Sequence, residues 1–212
     1  MKHISNYTEY LVDLVYDRID DFFSFNSIDD IIQNNIIIPH IDNKNMLSYH
    51  KYYFKVVENK KYYLKKENFF QEFVQKNKIK GLSDEFCTRF ENDKEQISRY
   101  IKNGDILPFY IGYFLFSDVD KSLFTKLAHI FLPHYYCMLD NRIISFFQLE
   151  KESFYIAFNV ICDAYRSWWQ ENLNISLELA ERVNELPVFN ENESTKMKIL
   201  DMIFYAESRK IR

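Results

Sequence analysis

Glycine and proline are scarce in this chain, whose 212 residues contain 3 Gly and 4 Pro. Tight turns that need a positive φ are therefore rare, which favours helices joined by short polar loops and excludes Gly-rich nucleotide-binding loops and most sandwiches and barrels. The 3 cysteines are widely spaced without a CxxC pair, so they indicate neither a disulfide framework nor a zinc ribbon. The sequence also lacks an export signal and any apolar run of the roughly 20 residues that a membrane span needs. We therefore expect a cytoplasmic protein that does not associate with membranes.

Charge is unevenly distributed, although the net charge of the chain is only −4. Residues 44–80 contain 10 Lys and 3 Glu, and many of these lysines alternate with tyrosines. Lysine ammonium groups pair with phosphates and tyrosine rings stack on bases, so this segment is a candidate DNA contact. The alternative is a solvated lysine face over buried tyrosines. The lysines that we assign to DNA contact are Lys51, Lys55, Lys60, Lys61, Lys65 and Lys66.

Apolar residues that recur with a helical period predict an all-α fold, a compact multi-helix single domain over residues 1–212. Residues 51–65 alternate weakly between apolar and polar, so a small β-hairpin stays open for that segment. The remaining pattern gives helices over about 7–23, 83–103, 105–116, 121–132, 141–148, 151–172, 175–186 and 195–208.

Several helix ends carry capping signals. Ser27 with Asp30 three residues later forms a capping box, and Ser83 caps a helix that Gly104 ends. We expect Asp105 to cap the next helix, DILPFYIGYFLF, with Pro108 in its first turn. This helix is apolar nearly all round, so it should be central in the fold.

The segment DKSLFTKLAHIFLPHYYCMLDNRI, residues 120–143, carries the chemistry. It predicts a lysine at a helix start, a short apolar helix, a Pro-marked loop and an aspartate that caps the next helix. Such an order brings an amine and a carboxylate into one concavity, to which two helix N-termini add positive potential. Asp140 is the carboxylate, and Lys121, 19 residues before it, and Lys126 are the amines.

This arrangement resembles the helix-hairpin-helix/Gly-Pro-Asp superfamily of base-excision DNA glycosylases, particularly 8-oxoguanine glycosylase-like bacterial members, over residues of about 105–148. The spacing from Lys121 to Asp140 is similar to that between the lysine nucleophile and the essential aspartate of the family. The C-terminal stretch KILDMIFYAESRK is similar to the last helix of such proteins. A loose pattern of uncharacterised bacterial relatives, [ST]-K-x-L/A-H followed by Pro and then Asp, is matched by Thr125, Lys126, His129, Pro133 and Asp140.

The resemblance implies a base-excision repair hydrolase that cleaves the N-glycosidic bond of a damaged or modified DNA base, with or without lyase activity, and without metal or cofactor. Asp140 then stabilises the charge that develops on the sugar, and Lys121, or Lys126 in its place, attacks the sugar carbon. His129 is alternatively a partly buried histidine that hydrogen-bonds the following loop. Residues expected to line a base pocket are Phe109, Tyr110, Tyr113, His129, Tyr135 and Tyr136.

One turn departs from the pattern of the family. Where the family has Gly-x-Gly against a DNA phosphate, this chain has Ser117, Asp118, Val119 and Asp120. Side chains obstruct the close approach and the two carboxylates repel phosphate, so DNA is held elsewhere, through residues 44–80, or DNA binding has been lost. The alternative function is therefore a non-catalytic helical protein, derived from this scaffold, with a protein partner in a phage-defence or regulatory assembly. A sequence-tolerant single-strand binder is a third reading.

Overall fold

Helices account for the fold of the part of the chain that can be described. The computed structural model describes residues 2–35, 56, 69–76, 82–186 and 196–210, and within these ranges it contains helices and no strand. The all-α prediction is confirmed for these ranges. The hairpin alternative at 51–65 and the six lysines assigned to DNA contact lie outside the described residues, apart from Val56, which is buried and helical.

Nine α-helices and one π-helical turn are present in these ranges. The π-helical turn is Asp30–Asn35. The α-helices are α1 (Lys2–Phe25), α2 (Phe69–Lys76), α3 (Asp84–Lys102), α4 (Leu107–Tyr113), α5 (Ser122–Phe131), α6 (Asn141–Phe146), α7 (Phe154–Glu171), α8 (Leu173–Asn184) and α9 (Lys196–Ser208).

Local capping chemistry sets several of these boundaries, as predicted. The Ser27 hydroxyl accepts the Asp30 N–H at 3.1 Å and donates to the Asp30 carboxylate at 2.6 Å. The Ser83 hydroxyl accepts the N–H of Phe86 at 3.1 Å, and Gly104, whose φ is +74°, lies two residues after the last residue of α3. These bonds satisfy N–H groups that the first turn of a helix leaves without intrahelical partners.

The predicted cap at Asp105 is wrong, because this residue belongs to the end of α3. The Asp105 N–H donates to the carbonyl of Tyr100 and the Gly104 N–H donates to that of Ile101, which together form a Schellman motif. Helix α4 then begins after Ile106, which makes no side-chain cap.

The DILPFYIGYFLF helix is also not central in the way predicted, because only one of its faces is buried. Helix α4 has seven residues and buries Phe109, Tyr110 and Tyr113, but Leu107 and Ile111 on its other face are exposed. So short a helix rests on its neighbours with one face only. The apolar composition predicts burial on all sides of the helix, but the packing buries one face.

The C-terminal helix α9 packs against α6, α7 and α8, while α1 lies along α7. Phe204 of α9 meets Phe147 with 5.1 Å between ring centroids, and Phe23 of α1 stacks on Trp168 of α7 at 4.2 Å. This packing brings the polar side chains of α9 to the start of α6. No helix in the described ranges is both long and apolar enough to cross a membrane.

Candidate catalytic site

Helices α5 and α6 and the loop between them form one hydrogen-bonded unit. The Asp120 carboxylate accepts the N–H of Ser122 at 2.9 Å where α5 begins. At the other end, Asp140 Oδ1 accepts the N–H groups of Arg142 and Ile143 at 2.9 and 3.1 Å, so the predicted cap of α6 is confirmed. Lys126 and Asp140 are thereby held on a rigid frame.

Thr125 ties α5 to the end of this loop. Its buried hydroxyl accepts the N–H of Leu139 at 2.9 Å and lies within hydrogen-bonding distance of the carbonyls of Ser122, at 2.9 Å, and Leu139, at 3.1 Å. The hydroxyl has a single proton, so it donates to one of these two carbonyls at a time. Because Thr125 precedes Lys126 and Leu139 precedes Asp140, the bond fixes the two candidate residues relative to each other.

His129 ties the same helix to the middle of the loop. Its side chain is fully buried, and its Nδ1 lies 2.5 Å from the carbonyl oxygen of Tyr136, to which it donates in the tautomer protonated at Nδ1. The alternative of a histidine hydrogen-bonded to the following loop is therefore confirmed, with the ring buried fully rather than partly. Thr125 and His129 thus support the loop from two successive turns of α5.

Lys126, which follows Thr125 on α5, is half-buried. Burial lowers the pKa of its ammonium group, and the charge of Lys198 acts in the same direction. The nearby carboxylates of Asp120 and Asp140 oppose this shift, because they favour the charged form. Lys126 Nζ makes no hydrogen bond or ion pair with any residue of the described ranges. This amine is therefore desolvated and within the electrostatic influence of the Asp140 carboxylate, with which it forms no ion pair.

The Asp140 carboxylate has one oxygen committed and one available. Both capping bonds go to Oδ1, whereas Oδ2 accepts no hydrogen bond from another described residue. The residue is only half-buried, so part of its surface meets solvent. A fixed carboxylate with one open oxygen is suited to stabilise a positive charge that develops nearby.

Lys121 occupies the residue just before α5 and is half-buried. Its ammonium group makes no hydrogen bond or ion pair within the described ranges, whereas its carbonyl accepts the N–H of Phe124 at 3.1 Å. Its catalytic role stays a prediction. Burial and the electrostatic influence of Asp140 favour Lys126, which the spacing of the resemblance placed second.

Two charged residues of α9 complete this region, and the sequence reasoning missed both. Lys198 Nζ and Asp201 Oδ2 form an ion pair at 2.6 Å, with the residues only 4% and 5% exposed. Burial raises the pKa of Asp201, and the negative charge of Asp140 adds to the rise, while Lys198 and Lys126 oppose it. We call Lys126, Asp140, Lys198 and Asp201 the charge cluster, in which the first two are half-buried and the last two buried. The available signal was a Lys-x-x-Asp pair inside the otherwise apolar stretch 197–204 of this helix.

Tyr165 of α7 lies beside this cluster. Its ring is fully buried, and its hydroxyl has no hydrogen-bond partner among the described residues. Burial raises its pKa well above the ordinary value, and the charges of Asp201 and Asp140 contribute. A buried hydroxyl without a protein hydrogen-bond partner costs free energy, so it is a feature to test.

Most of the residues expected in a base pocket are packed inside the core. Phe109, Tyr110, Tyr113 and Tyr136 are each less than 9% exposed, and their rings contact other aromatic rings. Tyr135 is exposed, and the guanidinium carbon of Arg166 lies 3.8 Å from its ring centroid. Base stacking by these residues stays a prediction, and Tyr135 is the member of the set with a ring open to solvent.

A shallow groove lies elsewhere, between α1 and α7. It has a volume of about 410 Å³ and is lined by Thr8, Glu9, Val12, Asp13 and Asp163. None of these residues belongs to the charge cluster. Within the described ranges, no three His, Cys, Asp or Glu residues converge in a way that could hold a metal ion.

Comparisons with known proteins add no family to this geometry. No protein-family model, no curated protein and no solved structure matches the chain.

Proposed function

We propose that this protein is a DNA glycosylase that releases a damaged or modified base, with Lys126 as nucleophile and Asp140 as the stabilising carboxylate. One observation carries the proposal: a desolvated amine without an ion-pair partner in the described ranges lies in the field of a carboxylate that has a free oxygen. Buried titratable groups with perturbed pKa values and a specific charge partner are typical of functional sites.

The chemistry needs a neutral amine, and burial shifts Lys126 toward that form. A lowered pKa increases the fraction of Lys126 that is unprotonated near neutral pH. Its nitrogen attacks C1′ of the sugar, the N-glycosidic bond breaks, and the base leaves with the bonding electron pair and takes up a proton. Asp140 stabilises the positive charge on the sugar during this step. Opening of the sugar ring then yields a Schiff base on Lys126.

The Ser117–Asp120 turn limits where DNA is held. Asp118 and Asp120 are exposed, so they repel a phosphate at this turn. The proposal therefore assigns phosphate binding to the basic segment 44–80, which contains 10 Lys and 3 Glu.

Borohydride trapping tests the proposal directly, because it reduces a Schiff base to a stable covalent link. The full chain is assayed on duplexes and single strands that contain 8-oxoguanine, uracil, alkylated or hypermodified bases, with a parallel assay for free base. We expect trapping that Lys126→Gln abolishes and the matched control Lys121→Gln retains. Loss in Lys121→Gln alone would transfer the nucleophile to that residue. Absence of both base release and trapping on every substrate would reject the function.

A second candidate is a non-catalytic helical protein that acts through a protein partner. Four apolar side chains at and after α4 support it, since they are 40–92% exposed: Leu107, Ile111, Leu115 and Phe116. In this case a substitution that removes the charge of Asp140 leaves binding of the protein partner intact, whereas substitutions of these four exposed side chains abolish it.

A further inference from the structure

Cys137 and Cys162 face each other in the core. Their sulfur atoms are 3.4 Å apart, and each residue is 1% exposed. Cys162 lies on α7, whereas Cys137 lies in the loop between α5 and α6, three residues before Asp140. The N–H of Cys137 also donates to Cys162 Sγ at 3.3 Å, so the backbone holds the two thiols together.

We propose that Cys137 and Cys162 form a reversible dithiol–disulfide switch, closed by hydrogen peroxide, that fixes the loop 132–139 to α7. The inference does not depend on the glycosylase function, because it concerns the covalent state and mobility of the loop.

The chemistry balances with one peroxide. One sulfur, as thiolate, attacks an oxygen of hydrogen peroxide, so that an S–O bond forms, the O–O bond breaks and hydroxide leaves as water after protonation. The second thiol attacks the resulting sulfenic sulfur, so that the S–S bond forms, the S–O bond breaks and a second water departs. Two thiols are oxidised, and one peroxide is reduced to two waters.

The geometry favours the second step strongly. The sulfurs need to approach only from 3.4 Å to the roughly 2.05 Å of a disulfide. The attack is intramolecular between groups already in contact, so a sulfenic acid does not accumulate. Burial raises the pKa of the Cys137 thiol, so the first step is slow and requires the loop to open. The switch therefore responds to sustained exposure to peroxide.

The disulfide restrains the loop that leads to Asp140. In the reduced protein, the hydrogen bonds of Thr125 and His129 hold this loop to α5. The cross-link adds a covalent attachment to α7 between residues 25 positions apart. We expect slower amide hydrogen exchange in 132–139 and a Tm higher by about 4 °C or more.

The test uses the full chain with Cys87→Ala, which leaves only the facing pair. The folded protein is treated with hydrogen peroxide, quenched in denaturant with N-ethylmaleimide, and weighed by mass spectrometry. The expected product has lost two hydrogens, takes up no maleimide and is restored by dithiothreitol. Two maleimides on the treated protein would overturn the proposal, as would a disulfide that changes neither Tm nor hydrogen exchange of the loop.

A second variant and a second measurement keep the result decisive. The Cys87→Ala/Cys162→Ala protein should show no peroxide-dependent rise in Tm, and a rise there would overturn the assignment. If Cys87→Ala does not fold, peptide mapping of the unaltered chain answers the same question. A peptide that links 137 to 162 supports the switch, and a link that includes Cys87 contradicts it.

Discussion

The Thr125 hydroxyl accepts the N–H of Leu139 at 2.9 Å, and this bond aligns the two residues that follow, Lys126 and Asp140. A single buried side chain thus sets the relative position of the amine and the carboxylate. The same relationship gives a physical reason for a small hydroxyl residue directly before the lysine, since an aliphatic side chain of similar size, such as Val, cannot accept this N–H.

Replacement of Thr125 by Val should lower the free energy of unfolding by about 1–3 kcal/mol, because it leaves the buried Leu139 N–H without an acceptor. Thr125→Ser keeps the hydroxyl and is the matched control, with a smaller loss from the missing methyl group. Urea denaturation followed by circular dichroism measures both. Equal stability of Thr125→Val and the unaltered protein would show that the bond contributes nothing.

Two substitutions at Asp140 separate its capping role from its charge. Asn caps helices about as well as Asp, so Asp140→Asn should change stability little, whereas Asp140→Ala should cost about 0.5–2 kcal/mol. Under the proposed function, base release and borohydride trapping are lost in both variants. Thermal unfolding and the trapping assay are run on the same samples. Full trapping in Asp140→Asn would remove the carboxylate from the mechanism.

Helix boundaries that depend on neighbouring residues could be predicted from the sequence. Ser83 and Asp140 accept N–H groups two or three residues ahead of them, and Gly104 adopts a positive φ, so each signal is complete within one turn. Asp105 shows the limit of such reasoning. Asp is a good cap in isolation, but the Schellman motif at the end of α3 had already engaged its backbone.

The charge cluster could be predicted only in part. Lys126 and Asp140 lie within 15 residues of each other, and the sequence placed both in one segment. Lys198 and Asp201 join them only because α9 packs on α6 and α7, and no local pattern specifies that contact. For a related reason, the sequence does not determine whether Lys121 or Lys126 is the better candidate nucleophile. Spacing along the chain does not reveal which lysine is desolvated.

Substitution of Lys198 by Met should lower the free energy of unfolding by about 3–5 kcal/mol at neutral pH, because it leaves the Asp201 carboxylate buried without its partner. The double variant Lys198→Met/Asp201→Leu should recover most of this loss, since neither charge then remains. Guanidinium denaturation of the single and double variants gives both values. A double variant no more stable than the single one would contradict this account of the pair.

The pH dependence of stability should include a contribution from Asp201. Its pKa is raised in the folded protein above the ordinary value of 3.8, so the native state binds this proton more tightly than the unfolded state does. The resulting stabilisation is complete below the unfolded pKa and is lost as pH rises through the folded pKa. Asp201→Asn should therefore flatten the fall in stability with rising pH over this window. Parallel curves for the two proteins would assign that fall to other groups.

Replacement of Tyr165 by Phe should leave the free energy of unfolding unchanged or raise it by up to about 1 kcal/mol, because the buried hydroxyl has no partner in the described ranges. Tyr113→Phe is the matched control, since the Tyr113 hydroxyl donates to the Asp93 carboxylate and its loss should cost about 0.5–1.5 kcal/mol. Urea denaturation compares the two variants with the unaltered chain. A loss in Tyr165→Phe as large as in the control would mean that the hydroxyl is paired, and its assignment as an unsatisfied buried group would be wrong.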